Sequence, residues 1–166
     1  MALLKWSAKK ILWLKKNTLW LQKIASLTWQ QWLLLGEAMV TMGIACIRLK
    51  LFPFKHIAAT WGEPQCQDLH ICEETFDSSA KQIGWAVGAV GNRLPWQGTC
   101  LIQAMAARQM LRRRSISNVL YFGVKKNKIS LLDAHAWLSV GNHIVTGKRG
   151  HQQFSVLSIF VDRYET

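Results

Sequence analysis

The chain has 166 residues, half of them apolar, enough for one domain with a real core and too apolar for a disordered segment. Lys and Arg number 21 against 9 Asp and Glu, a net charge of +12 that favours anionic partners. No nucleic-acid recognition motif accompanies that charge, so nucleic acid is not an expected partner.

Residues 1–31 read as a basic, Trp-rich amphipathic helix. Trp6, Trp13 and Trp20 recur every seven residues, lysines such as Lys9, Lys16 and Lys23 stand among them, and no acidic residue precedes Glu37. A stripe of this kind lies on a membrane surface, docks on a partner protein or packs on its own domain. No signal-peptide pattern with a small-residue cleavage site is present, so a cytoplasmic protein with reduced thiols is expected, with membrane-surface association open through this helix. From residue 32 to residue 47 the chain is nearly all apolar. That run is shorter than the ~20 residues a bilayer crossing needs. Glu37 interrupts it, and Arg48 and Lys50 close it, so a buried helix is expected, opening a domain over residues 32–166.

Pro53 in Phe52-Pro53-Phe54 breaks that helix and opens a short one, which Gly62-Glu63-Pro64 ends. Residues 65–75 are polar and mixed and read as a loop. Cys66, His70 and Cys72 fall there, but their spacing fits no common zinc finger and only three ligands are evident, so no metal is expected. Asp77 or Ser78 can cap a helix over about 79–90, where Ile83, Ala86, Val87 and Val90 follow helical spacing. Leu94-Pro95-Trp96 is a breaker. The next helix begins at Thr99 or Cys100, carries Leu101, Ala104, Met105 and Leu111 at helical intervals, and ends in Arg112-Arg113-Arg114, where the helix dipole favours cations.

Beyond Arg114 the pattern becomes β-rich. Residues 118–124 read as a strand, Leu131 to Val140 as a second, and Gly141-Asn142 as a tight turn into His143-Ile144-Val145. A last strand covers 154–160. The expected fold is α+β: N-terminal helices followed by an antiparallel sheet.

Cys100 at a helix start and His135 on a strand are the two parts of a thiol acyl-transfer centre. Only the thiolate attacks a carbonyl well, and a helix N-terminus with a neighbouring imidazolium stabilises it. The amides of that helix start can also hold the oxyanion of a tetrahedral intermediate, while an imidazole protonates the leaving amine. Asp133 and His135 are two residues apart on a strand and share a face. Spacing alone leaves the ordinary readings open, a core cysteine and a structural histidine.

The segments Asn92-Arg93-Leu94-Pro95-Trp96-Gln97-Gly98-Thr99-Cys100-Leu101, Met110-Leu111-Arg112-Arg113-Arg114, Phe122-Gly123-Val124 and Ala134-His135-Ala136-Trp137 resemble the lasso-peptide biosynthesis B proteins. Leu51-Phe52-Pro53-Phe54-Lys55 resembles the helical lead-in of that family, and the likeness covers most of residues 32–160. The resemblance implies a transglutaminase/papain-like core and a cysteine endopeptidase that removes the leader from a ribosomally made precursor. It implies Cys100 as nucleophile, His135 as general base, and substrate contacts at Trp96, Gln97 and Trp137. The family's third, acidic member follows on the next strand, which here falls at Thr146-Gly147, where no carboxylate stands. Asp133 is then the candidate to orient His135; the alternatives are a dyad or a copy of reduced activity. Fused members carry a winged-helix recognition domain ahead of the peptidase. The stretch before Trp32 is too short for one, so the resemblance implies a split form whose partners are the precursor peptide, a separate leader-recognition protein and a lasso cyclase. No phosphate-binding loop is visible, and no cofactor is expected. A non-catalytic docking protein on the same fold is the competing reading.

Overall fold

The computed structural model describes residues 27–62, 78–93, 100–127 and 131–164. The tryptophan-striped stretch up to residue 26, the loop with Cys66 and Cys72, and the approach to Cys100 with Trp96 and Gln97 lie outside the described residues. The chain divides into two units, Met1–Leu33 and Leu34–Thr166. In the first, the Thr28 amide donates to Gln31 Oε1 at 3.0 Å and the Gln31 amide to Thr28 Oγ1 at 3.4 Å. This reciprocal cap satisfies two amides at the start of helix α1 (Trp29–Leu51).

In the second unit α1 buries a single stripe, Ala38, Thr41, Met42 and Ala45, at helical spacing. The apolar run was expected to be a buried helix. Instead the helix extends to Leu51, and Met39, Val40, Ile44, Ile47 and Leu51 are each about half exposed or more. Hydropathy registers how apolar a helix is, not how many of its sides find a neighbour.

Pro53 stands at the N-cap of α2 (Phe54–Ala59), its fixed φ suited to the helix start. Phe54, Trp61, Phe122 and Phe160 then form an aromatic cluster with ring centroids 5.5 to 5.9 Å apart, which fastens α2 to the sheet. Helix α3 (Ser78–Gly91) buries Ile83, Ala86, Val87 and Val90, the stripe expected from spacing. Its Gly84 lies so near Val145 that a Cβ there would sit 2.6 Å from the Val145 carbonyl oxygen.

Helix α4 (Cys100–Arg112) is built of strong helix formers and is buried on most of its circumference, including Ala104, Ala107, Met110 and Leu111. It ends in a Schellman motif. Ser115 takes φ 52°, its amide donates to Arg112 O at 3.1 Å, and the Ile116 amide donates to Leu111 O at 3.1 Å. That turn sends the chain into β1 (Asn118–Asn127), followed by β2 (Leu131–Val140), β3 (His143–Thr146), a 3₁₀ turn (His151–Gln153) and β4 (Ser155–Asp162). Gly141, at φ 51°, supplies the positive φ that the two-residue β2–β3 turn needs.

The antiparallel sheet has the order β3-β2-β1-β4. One face, with Leu120, Ala136, Leu138, Val140 and Phe160, joins α4 and α3 in the core. The other presents Val119, Tyr121, Trp137 and Ile159, by strand alternation. The expected architecture, helices first and then an antiparallel sheet, is the one observed.

Two ionic ties hold the helices. Arg108, 2% exposed, grips Asp162 of β4 through Nε and Nη2 at 2.7 and 2.8 Å. Glu37 of α1 accepts from Arg114 at 2.7 Å and Arg113 at 3.3 Å. The hydrogen bond from Arg114, with the attraction of both guanidiniums, holds the Glu37 carboxyl below the ordinary carboxylate range. Removing the Asp162 carboxylate strands a buried guanidinium, so Asp162→Ala should lower the unfolding free energy by about 3 kcal/mol in a denaturant titration. Because the Glu37 titration is lowered by folding, its contribution is present above the ordinary carboxylate range and is lost as pH falls through it. Melts of the wild type and of Glu37→Gln should differ at neutral pH and converge in acid.

Candidate active site

Cys100 is the first residue of α4, and its side chain is half-buried. The Ala136 amide donates to Cys100 Sγ at 3.4 Å. Ala136 follows His135 directly, so this contact puts the sulfur within about 6 Å of the His135 Cα. Strand β3 pairs with β2 only at residues 138–140, which leaves the edge of β2 open beside His135 and Ala136. The sulfur occupies that open edge and takes an amide that no strand covers.

His135 points to the face of the sheet away from α4, the face of Trp137. Its ring stands 5.0 Å from Phe154 and 5.9 Å from Trp137, centroid to centroid. Trp137 is itself buried and stacks on Tyr121 at 5.4 Å with 4° between planes. Gly123, the register partner of His135, makes room for this wall. A Cβ there would come within 2.8 Å of both the Trp137 ring and Phe154.

His135 Nε2 lies 2.8 Å from the carbonyl oxygen of Gly147. A carbonyl can only accept, so the bond places the proton on Nε2 and leaves Nδ1 as the basic nitrogen. Gly147 lies at the position where the resemblance implied an acidic residue and the sequence has none. The acceptor is there as a main-chain oxygen. Gly147 takes φ 74°, and a Cβ on it would fall 2.5 Å from the Ala136 carbonyl and 2.8 Å from Trp137 Cβ. Only glycine fits the left-handed backbone and the close approach together. Sequence reading passed over Gly147 because no side chain marks it.

The remaining candidates divide. Asp133 shares the face of His135 by strand alternation, and the Nε2 of that ring lies against the Gly147 carbonyl. Trp137 forms the floor beneath the imidazole, while Trp96 and Gln97 lie outside the described residues. The sulfur and the imidazole are neighbours around one strand edge, and among the described residues they share no hydrogen bond. Such bonds are commonly long until substrate closes the site. Among the described residues no three His, Cys, Asp or Glu side chains gather as a metal site.

A thiol at the first residue of a buried helix lies against the peptide that follows a strand histidine, in an α+β domain of helices and a four-stranded antiparallel sheet. Residues 57–159 match the model of the transglutaminase-like superfamily, and the chain belongs to that superfamily, which commonly includes cysteine peptidases and transferases. No curated protein and no solved structure matches the chain.

Gly147→Ala should strain the left-handed turn, push its carbonyl off the ring and lower the melting temperature. The imidazole Nε2–H resonance, slowed in exchange by the Gly147 bond, should broaden or vanish in that variant's proton NMR spectrum.

Proposed function

We propose that the chain is a cysteine endopeptidase that cleaves the leader from a ribosomally made lasso-peptide precursor. The observation that carries the reading is the bond from His135 Nε2 to Gly147 O, made while Cys100 Sγ lies against the next peptide. That bond supports His135 as a base with Nδ1 unprotonated. The Ala136 amide, aimed at the sulfur, favours negative charge there. The family motif Ala134-His135-Ala136-Trp137 supports the precursor class.

In this mechanism His135 takes the Cys100 proton and the sulfur adds to the scissile carbonyl. Charge on the resulting oxyanion faces the positive end of α4. Collapse expels the amine, which leaves with the proton from His135, and a thioester remains. Water, deprotonated by His135, adds to the thioester; the leader leaves as a carboxylate and the thiol regains its proton. The partners in this reading are the precursor, a separate leader-recognition protein and a lasso cyclase.

One observation favours a second reading, a non-catalytic docking protein on the same fold: the sulfur and imidazole are not hydrogen bonded. A peptide carrying a thiol-reactive group separates the two, since selective labelling of Cys100 belongs to the peptidase and indifference to the docking protein. Cys100→Ala should cut precursor cleavage by about a thousandfold or more while leaving the melting temperature unchanged, and His135→Ala should be nearly as severe because the pair acts as a unit. Cleavage by Cys100→Ala at the wild-type rate would refute the assignment.

A further inference from the structure

A site on the second unit, at the flank of α1, takes no part in the chemistry of Cys100. A cavity of about 220 Å³ opens between α1 and α4, lined by Thr41, Ile44, Arg48, Arg108, Arg112 and Arg113, among others. Four arginines therefore line it. Asp162 answers Arg108 and, at 3.7 Å, Arg112; Glu37 answers Arg113. The Arg48 guanidinium has no hydrogen bond or ion pair among the described residues. Arg108, 2% exposed, keeps Nη1 buried with no partner. A second cavity of about 380 Å³, beside Phe52 and His56, is also lined by Arg48 and Thr60. Cationic groups left over in this way recognise a phosphate-bearing anion.

The outward face of α1 adjoins this cavity. Met39, Val40, Ile44, Ile47 and Leu51 are 48 to 69% exposed, and Phe52 and Phe54 continue the patch. Gly36 and Gly43 on the same face have open space around them. An apolar helix side next to a cationic cavity suits an acyl layer with anionic headgroups at its edge. Helix α1, with 23 residues, is long and apolar enough to cross a bilayer, but Ala38, Met42 and Ala45 are buried and Glu37 is paired with Arg113 and Arg114, which ties it to the domain surface. Arg48 follows Ile47 by one residue, about 100° around the axis. With Ile47 facing the acyl layer, Arg48 and the cavity stand at headgroup depth.

We propose that α1 and the arginine-lined cavity form one membrane-surface site, in which the headgroup phosphate of an anionic phospholipid sits against Arg48 and the outer face of α1 enters the acyl layer. The site is independent of the peptidase reading.

The test is flotation of the full chain with vesicles of equal parts phosphatidylcholine and phosphatidylglycerol, beside vesicles of phosphatidylcholine alone. The wild type should float with the anionic vesicles and far less with the neutral ones. Arg48→Gln should weaken anionic binding about fivefold, and Ile47→Asp about tenfold or more. Both positions lie outside the buried stripe, and Val40→Asp serves if Ile47→Asp does not fold. Cys100→Ala should float like the wild type, so loss of cleavage and loss of binding are told apart. Equal flotation of wild type, Arg48→Gln and Ile47→Asp would overturn the proposal. So would a wild type that binds inorganic phosphate through Arg48, by calorimetry, yet does not float.

Discussion

Helix α4 is enclosed by apolar neighbours on most sides, and that enclosure governs both of its ends. A helix gripped so widely cannot rotate or slide without opening the core. Its first residue is therefore held at the free edge of β2, where Cys100 meets the Ala136 amide. Eight residues on, Arg108 is carried into the interior at a depth where a guanidinium must be answered by Asp162. Beyond it the arginine run emerges beside α1 and takes Glu37. The Cys100 thiol and the cationic cavity are thus placed by one rigid rod.

The imidazole is fixed by a different means. Its strand supplies direction, Gly123 supplies space, and Trp137 with Phe154 supplies flat walls. None of these chooses a tautomer. The Gly147 carbonyl does so, from a turn that departs just as β3 releases β2. The gap in pairing that exposes the Ala136 amide and the turn that delivers the carbonyl are two results of the same early end to β3.

Much of this was legible in the residues. The Pro53 break, the helix start at Cys100, the strand Leu131–Val140 and the Gly141-Asn142 turn are encoded by local chemistry, and each stands near its expected place. The strand ends were less legible: β1 and β4 run past their apolar centres, because ladder bonds reward polar residues such as Lys125 and Asp162 as well. Glu37 read as an interruption of an apolar run, since its arginine partners are 76 and 77 residues away. The orientation of His135 was the least legible. A search for carboxylates by residue type finds nothing at Thr146-Gly147, for a main-chain oxygen belongs to every residue alike.

A peptide oxygen differs from a carboxylate in one respect that matters over a range of conditions: it carries no removable charge. An imidazole aligned by aspartate loses its guide once acid neutralises the aspartate, and dissolved salt weakens the pull before that. The tether at Gly147 has neither weakness, because its strength follows the path of the chain. What threatens it is any change that bends that path, so the exposed liability is mechanical where a triad's would be electrostatic.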